Sequence, residues 1–222
     1  MDPWMAELIR NSSGVILGWA LGLGSALLVD WRKDKKKVGS VKTAISRELR
    51  EVAHRLLALV YKVEGRRGRL DRQLLEWMHP HVQRYAGPNP SEGILAGVKG
   101  LLTQSDAELA QLAAYLQANA PPRFWPREEP SYTTAAVAKA HELDPDYAVR
   151  VLDILSHIRM LNDARENGLY YTRLTFVPGI TPGNHANAVQ NADGADDQMA
   201  KRARIIVDKV TALEQKYPGG PG

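Results

Sequence analysis

The chain contains no cysteine, so no disulfide framework can staple it, and nothing in it argues for an oxidising compartment. Internal repeats are absent, and so is any strand pattern except the short LYYTRLTF at 169–176, which reads as the end of a helix. Ser46, Ser105 and Ser131 sit in no nucleophile elbow. The glycine-rich stretches follow no strand, so none cradles a phosphate. These absences remove the usual routes to naming a reaction, and neither an enzyme activity nor a cofactor is expected.

Charge is missing locally as well. Nineteen consecutive residues, Asn11 to Val29, carry none. As a helix they would span about 28 Å, close to the roughly 30 Å hydrocarbon core of a bilayer. A cleaved secretory signal places positive charge before its apolar run, whereas here Arg32, Lys33, Lys35, Lys36 and Lys37 follow it. The expectation is a single transmembrane helix over 11–31 with a basic stop at 32–37. By the positive-inside rule, residues 1–10 then lie outside an inner (cell) membrane and the rest is cytoplasmic. Trp4 and Trp31 fall near the two interfaces, where an indole keeps its face in lipid and its N–H in water.

Within that run Gly14, Gly18, Gly22 and Ala26 recur every four residues. In lipid, small residues let helix backbones approach closely, so this ridge is a candidate packing face against another membrane protein or a second copy. Residues 32–72 carry fourteen basic and five acidic side chains, while the whole chain has a net charge of only +4. Anionic lipid headgroups attract such a segment by about 1 kcal/mol per nearby cation. Arg32, Lys33, Lys35, Lys36, Lys37, Arg66, Arg67 and Arg69 are therefore candidate lipid contacts, in preference to nucleic acid, for which lipid competes.

The remainder reads as an all-α helical bundle over 38–217, with a disordered tail at 218–222. Val41, Ile45, Val52, Leu56 and Val63 recur at helical spacing, which predicts an amphipathic helix over about 38–63, broken by the GRRGR run at Gly65–Arg69. A second helix starts near Leu70 and should kink or end at Pro80. After a loop at 86–90, Ser91 opens a helix to about Leu102. Ser105–Glu108 is a capping box for a helix ending near Ala120. A proline-rich crossing covers 121–130 and a further helix 132–143. Asp144 followed by Pro145 marks the start of a long helix to about Leu174, with Gly168 a local weakness. A loop is expected over 177–197, then a last helix over 198–217.

Candidates for chemistry each have a plainer explanation. His79 and His81 flank Pro80 and could reach one metal, but no cysteine joins them and Glu76 is the only acidic group nearby. Asp193, Asp196 and Asp197 resemble a calcium loop without the closing glutamate, and helix capping explains them better. Asp153 and His157 are an ordinary i,i+4 pair. The layout therefore predicts a membrane-anchored protein that presents a cytoplasmic bundle to an unidentified protein partner, as scaffold, sensor or regulatory subunit. The alternative is a homo-oligomeric membrane assembly or pore packed through the Gly14/Gly18/Gly22/Ala26 ridge. An enzyme centred on His79, His81 or His157 stands third.

Overall fold

The computed structural model describes residues 38–84, 92–120, 123, 125–138 and 143–218. The chain divides into two compact units, 1–43 and 44–222. The expected transmembrane span and its glycine ridge, the basic stop at 32–37, the loop at 86–90 and residues 219–222 of the tail lie outside the described residues. Among those described there are seven helices and no strand, so the domain is all-α. No described helix is long and apolar enough to cross a membrane.

Helix α1 covers residues 38–66. Ile45, Leu49, Val52, Leu56, Val60 and Val63 are fully buried along it at three- and four-residue intervals, as an amphipathic stripe requires. Its end is a Schellman motif. Gly68 takes φ +66°, its N–H reaches Gly65 O at 3.0 Å, and Arg69 N–H reaches Glu64 O at 2.8 Å. A Cβ at Gly68 would stand 2.7 Å from the amide oxygen of the exposed Gln117 side chain, which can swing away, so it is the conformation that calls for glycine there.

Helix α2 (Arg72–Arg84) begins with the Asp71 carboxylate accepting from Leu74 N–H. It runs through Pro80, contrary to the expectation that this residue could end it. A proline in a helix leaves one carbonyl four residues earlier without its partner. Here that residue is Glu76, and Glu76 and Pro80 both face solvent, while Met78 and Val82 are buried. Water can satisfy the carbonyl, and burial of the opposite face holds the helix together.

Helix α3 (Glu92–Leu102) follows, and α4 (Asp106–Ala118) opens on the expected capping box of Ser105 and Glu108. The Arg72 guanidinium donates to Leu102 O, Gln104 O and the Asp106 carboxylate, closing the C-terminal end of α3. Helix α5 (Ser131–Val137) stops short of the expected Leu143. Its first N–H groups, on Tyr132 and Thr133, donate to the Glu48 carboxylate of α1. Between α4 and α5 the crossing segment is fastened from both sides. Arg55 forms a bidentate pair with the buried Glu128, and Asn162 exchanges two hydrogen bonds with the Glu128 backbone.

Helix α6 (Pro145–Leu174) starts at Asp144–Pro145 as expected, with the Asp144 carboxylate accepting from Tyr147 N–H. Helix α7 (Pro182–Lys216) corrects the sequence reading, since most of the expected 177–197 loop is helical. Thr181 caps it, accepting from Asn184 N–H, and Pro182 occupies the first turn. Ala188, Ala192 and Ala195 then continue its buried face. The expectation of a loop gave too much weight to two glycines and three asparagines. Gly183 and Gly194 have open space around them and need no turn conformation.

Helices α6 and α7 run antiparallel. Asp146 pairs with Lys216, Asp153 with Lys209 and His157 with Arg202, and Gly168 faces Ala195. Gly168 is buried and is the point of close approach, since a Cβ there would lie 3.3 Å from Ala195 Cβ. The helix continues through Gly168, where the sequence suggested a local weakness, and its lack of a side chain permits this approach. Gly168→Leu is expected to lower stability by about 1–3 kcal/mol through overpacking. Gly194→Ala, in open space, should raise it by up to about 1 kcal/mol. Urea titration of the full chain in mild detergent, followed by helical circular dichroism, measures both.

Candidate functional site

The three described arginines expected at a lipid surface have carboxylate partners within the domain. Arg66 approaches Asp196 at 3.7 Å, Arg67 meets Asp193 at 2.6 Å and Asp197 at 3.4 Å, and Arg69 bridges Glu64 at 2.8 Å and Asp197 at 2.5 Å. Arg123 of the crossing segment pairs with Asp193 and holds Asp196 at 2.8 Å. Arg204 takes the other oxygen of the buried Glu64 at 2.7 Å. Asp196 is fully buried, and its remaining acceptor capacity is met by Trp125 Nε1 at 3.0 Å. The aspartates are therefore mid-helix anchors, which corrects their reading as helix caps. Their spacing of three and four residues puts all three on one helix face, a signal present in the sequence once 182–197 is taken as helix.

This junction joins α1, the crossing segment and α7. Removing one partner of a buried ion pair leaves the other uncompensated, at a cost of about 3–5 kcal/mol. Asp196→Asn should accordingly lower stability by about 3 kcal/mol or more, with cooperative unfolding retained. Asp146→Asn removes an exposed carboxylate and should have a much smaller effect. Denaturant midpoints of the two variants check the contrast.

The histidines do not converge. His79 and His81 are two residues apart on one helix, hence on nearly opposite sides, and no group of potential metal ligands is found among the described residues. His81 instead lies between Thr211 Oγ1 at 3.0 Å from Nδ1 and Asp208 at 3.2 Å from Nε2. Hydroxyl, imidazole and carboxylate in series resemble the parts of an activated nucleophile. The cavity beside them, bounded by His54, His81, Arg84 and Thr211, holds about 20 Å³. That is room for about one water molecule, so no substrate reaches Thr211 from it. The group fastens α2 to α7, helped by Trp77 Nε1 donating to Asp208 at 3.0 Å and by Arg204 over the Trp77 ring. His157 lies 3.8 Å from Asp153, whose carboxylate is held by Lys209 at 2.5 Å.

Burial makes His54 and His81 harder to protonate than a free imidazole. Arg55 adds to the effect at His54, and at His81 Asp208 opposes it. The unfolded chain thus binds more protons than the folded one near neutrality. Stability is complete above pH about 6.5, the ordinary histidine value, and is lost as pH falls below it. The thermal midpoint should therefore drop between pH 7.5 and 5.5, and less steeply in a His54→Gln/His81→Gln double variant.

One surface in the described domain is built differently. No residue between Gly168 and Ala188 is buried, so the turn joining α6 to α7 and the adjoining helix ends project from the packed part. The chain is 24% charged, yet no Asp, Glu, Lys or Arg occurs between Arg173 and Asp193. The tip shows Phe176 at 81% exposure, Tyr170 at 58% and Val177 at 47%. It is nonetheless tightly tied. Phe176 N–H reaches Arg173 O at 3.1 Å, Val177 N–H reaches Leu174 O at 3.2 Å, and Ile180 N–H reaches Val177 O at 3.3 Å. Gly179 supplies the left-handed conformation at φ +79° that the turn needs. Along one side runs a groove of about 440 Å³. The sequence reading passed over this surface because it divided it between a helix end and a loop. The signal available was the coincidence of missing charge with exposed aromatics.

No family model matches this chain. Comparisons with curated proteins and with solved structures give no match either.

Proposed function

We propose that this protein is a membrane-tethered interaction protein, whose helical domain offers the α6–α7 tip to another polypeptide. The observation that carries the reading is the tip itself: ordered, uncharged, unburied and topped by Phe176, Val177 and Tyr170. An exposed aromatic group on a defined turn, as Phe176 is, lowers its free energy by leaving water, and aromatic side chains dominate the energetics of protein contacts. A flexible apolar segment would lose entropy on binding, and the hydrogen-bonded turn reduces that loss.

The tether in this proposal is the helix expected at 11–31, built on the uncharged run 11–29, with residues 1–10 outside an inner membrane and the helical domain in the cytoplasm, as the cationic segment after the run favours. Arg32, Lys33, Lys35, Lys36 and Lys37 are the headgroup contacts. Arg66, Arg67 and Arg69 already have carboxylate partners, so the lipid contribution is assigned to the earlier cluster. The Gly14/Gly18/Gly22/Ala26 ridge is a packing face within the membrane.

The test is site-specific photocrosslinking of the full chain in the cells that carry it. With benzoylphenylalanine in place of Phe176, a discrete protein adduct is expected, and none with the same group at the exposed Glu129. An adduct at twice the 24.6 kDa of the chain would identify a second copy as the partner and favour the oligomeric reading. Absence of any adduct at 176 would end the proposal for the tip.

A further inference from the structure

The groove beside the tip has a chemistry that narrows what could bind in it, and the following rests on the interaction reading above. Its lining includes Asn184, Asn187 and Asn191 of α7 together with the apolar Leu174, Val177 and Ile180. The three carboxamides, at steps of three and four residues, share one helix face. All three residues are exposed, and their side chains make no hydrogen bond to any other described residue. Each thus presents a donor pair and an acceptor with no partner among the described residues.

We infer that this groove binds an extended, uncharged polypeptide segment, read through its backbone by Asn184, Asn187 and Asn191. Several features lead to this occupant. A carboxamide can donate to a peptide carbonyl and accept from a peptide N–H, but a helix has already used those groups internally. The partner must therefore be extended where it touches the asparagines. The row rises about 10 Å from Asn184 to Asn191 at 1.5 Å per residue, the length of about three residues of extended chain at 3.3 Å each. The lack of charge between Arg173 and Asp193 means that a charged side chain entering the groove would lose water and gain no counter-ion. The apolar part of the lining suits small or aliphatic side chains on alternate positions. A small molecule fits less well. Such ligands are typically enclosed over most of their surface, and the asparagines here lie open to solvent.

The experiment uses the full chain in nanodiscs and a pool of fluorescein-labelled nonapeptides built from Ala, Val, Leu, Ser and Thr. Fluorescence polarisation should show saturable binding of this pool, about three- to tenfold weaker for Asn187→Leu and weaker again for Asn187→Leu/Asn191→Leu. The same peptides with alternate backbone nitrogens methylated should lose a comparable factor, and a pool enriched in Lys and Glu should bind weakly. The asparagines are exposed, so unchanged helical circular dichroism verifies that the variants fold. Absence of binding, or binding that neither backbone methylation nor Asn187→Leu weakens, would overturn the inference. So would a Phe176→Trp chain whose emission shifts to the blue with 3:1 phosphatidylcholine:phosphatidylglycerol vesicles and not with the peptides, which would assign the tip to lipid. A discrete photocrosslink at position 176 beside a silent peptide pool would also overturn it, while leaving the interaction reading in place.

Discussion

A carboxylate with no access to water fixes the geometry of this domain. Asp196 is fully buried, and two guanidiniums and an indole N–H surround it, the partners a carboxylate needs when it leaves water. Those three groups come from the end of α1 and from the crossing segment between α4 and α5. Meeting the needs of one side chain therefore sets where three separate parts of the chain must lie. Apolar contact is tolerant of small shifts, whereas a buried ion is not. The aliphatic stripes of α1, α6 and α7 drive the helices together, and the junction at Asp196 selects one register among the many that would bury similar area.

The same logic recurs along α7. Arg50 meets Glu214 and Arg204 meets Glu64, which sets α1 antiparallel to α7. Trp77 and His81 meet Asp208 and Thr211 in ascending order, which sets α2 parallel to it. Charge in this protein is largely a means of fastening its own helices. Against that background the neutral hairpin tip is distinctive. It lies beyond the last internal ion pair, and its polar capacity resides in asparagines, which can recognise a backbone without attracting ions from solution.

Much of the fold was legible in local pattern. The stripe from Ile45 to Val63, the Ser105 capping box and the Asp144–Pro145 start all depend on interactions within one or two helical turns, and the structure has each of them. Two segments stay helical where a break was expected: α2 was expected to kink or end at Pro80 and does not end there, and most of the expected 177–197 loop is helix, for a common reason. Pro80 and the Gly/Asn-rich 182–197 both carry residues of low helix propensity, yet Met78 and Val82 in one case and Ala188, Ala192 and Ala195 in the other are buried against the bundle. Tertiary burial outweighs propensity penalties of about 1 kcal/mol for a glycine and about 3 kcal/mol for a proline. The functions of Arg66, Arg67 and Arg69 were out of reach for another reason. Their partners stand far along the chain, and nothing in the local sequence of either group names the other. The surface at Phe176 was divided between a helix end read over 169–176 and a loop read over 177–197, although its lack of charge was visible.

The junction at Asp196 also has a consequence for synthesis. Arg66 leaves the ribosome about 130 residues before its aspartate, which at 5–20 residues per second is roughly 7–26 s. During that interval α1 has no acidic partner on α7, and the carboxylate of Glu64 lacks Arg204. The earlier helices can form but cannot find their final register, so the nascent domain waits, with apolar stripes and cations both uncovered, until α7 is made. The ion pairs that complete this junction therefore all wait on the last helix to be made.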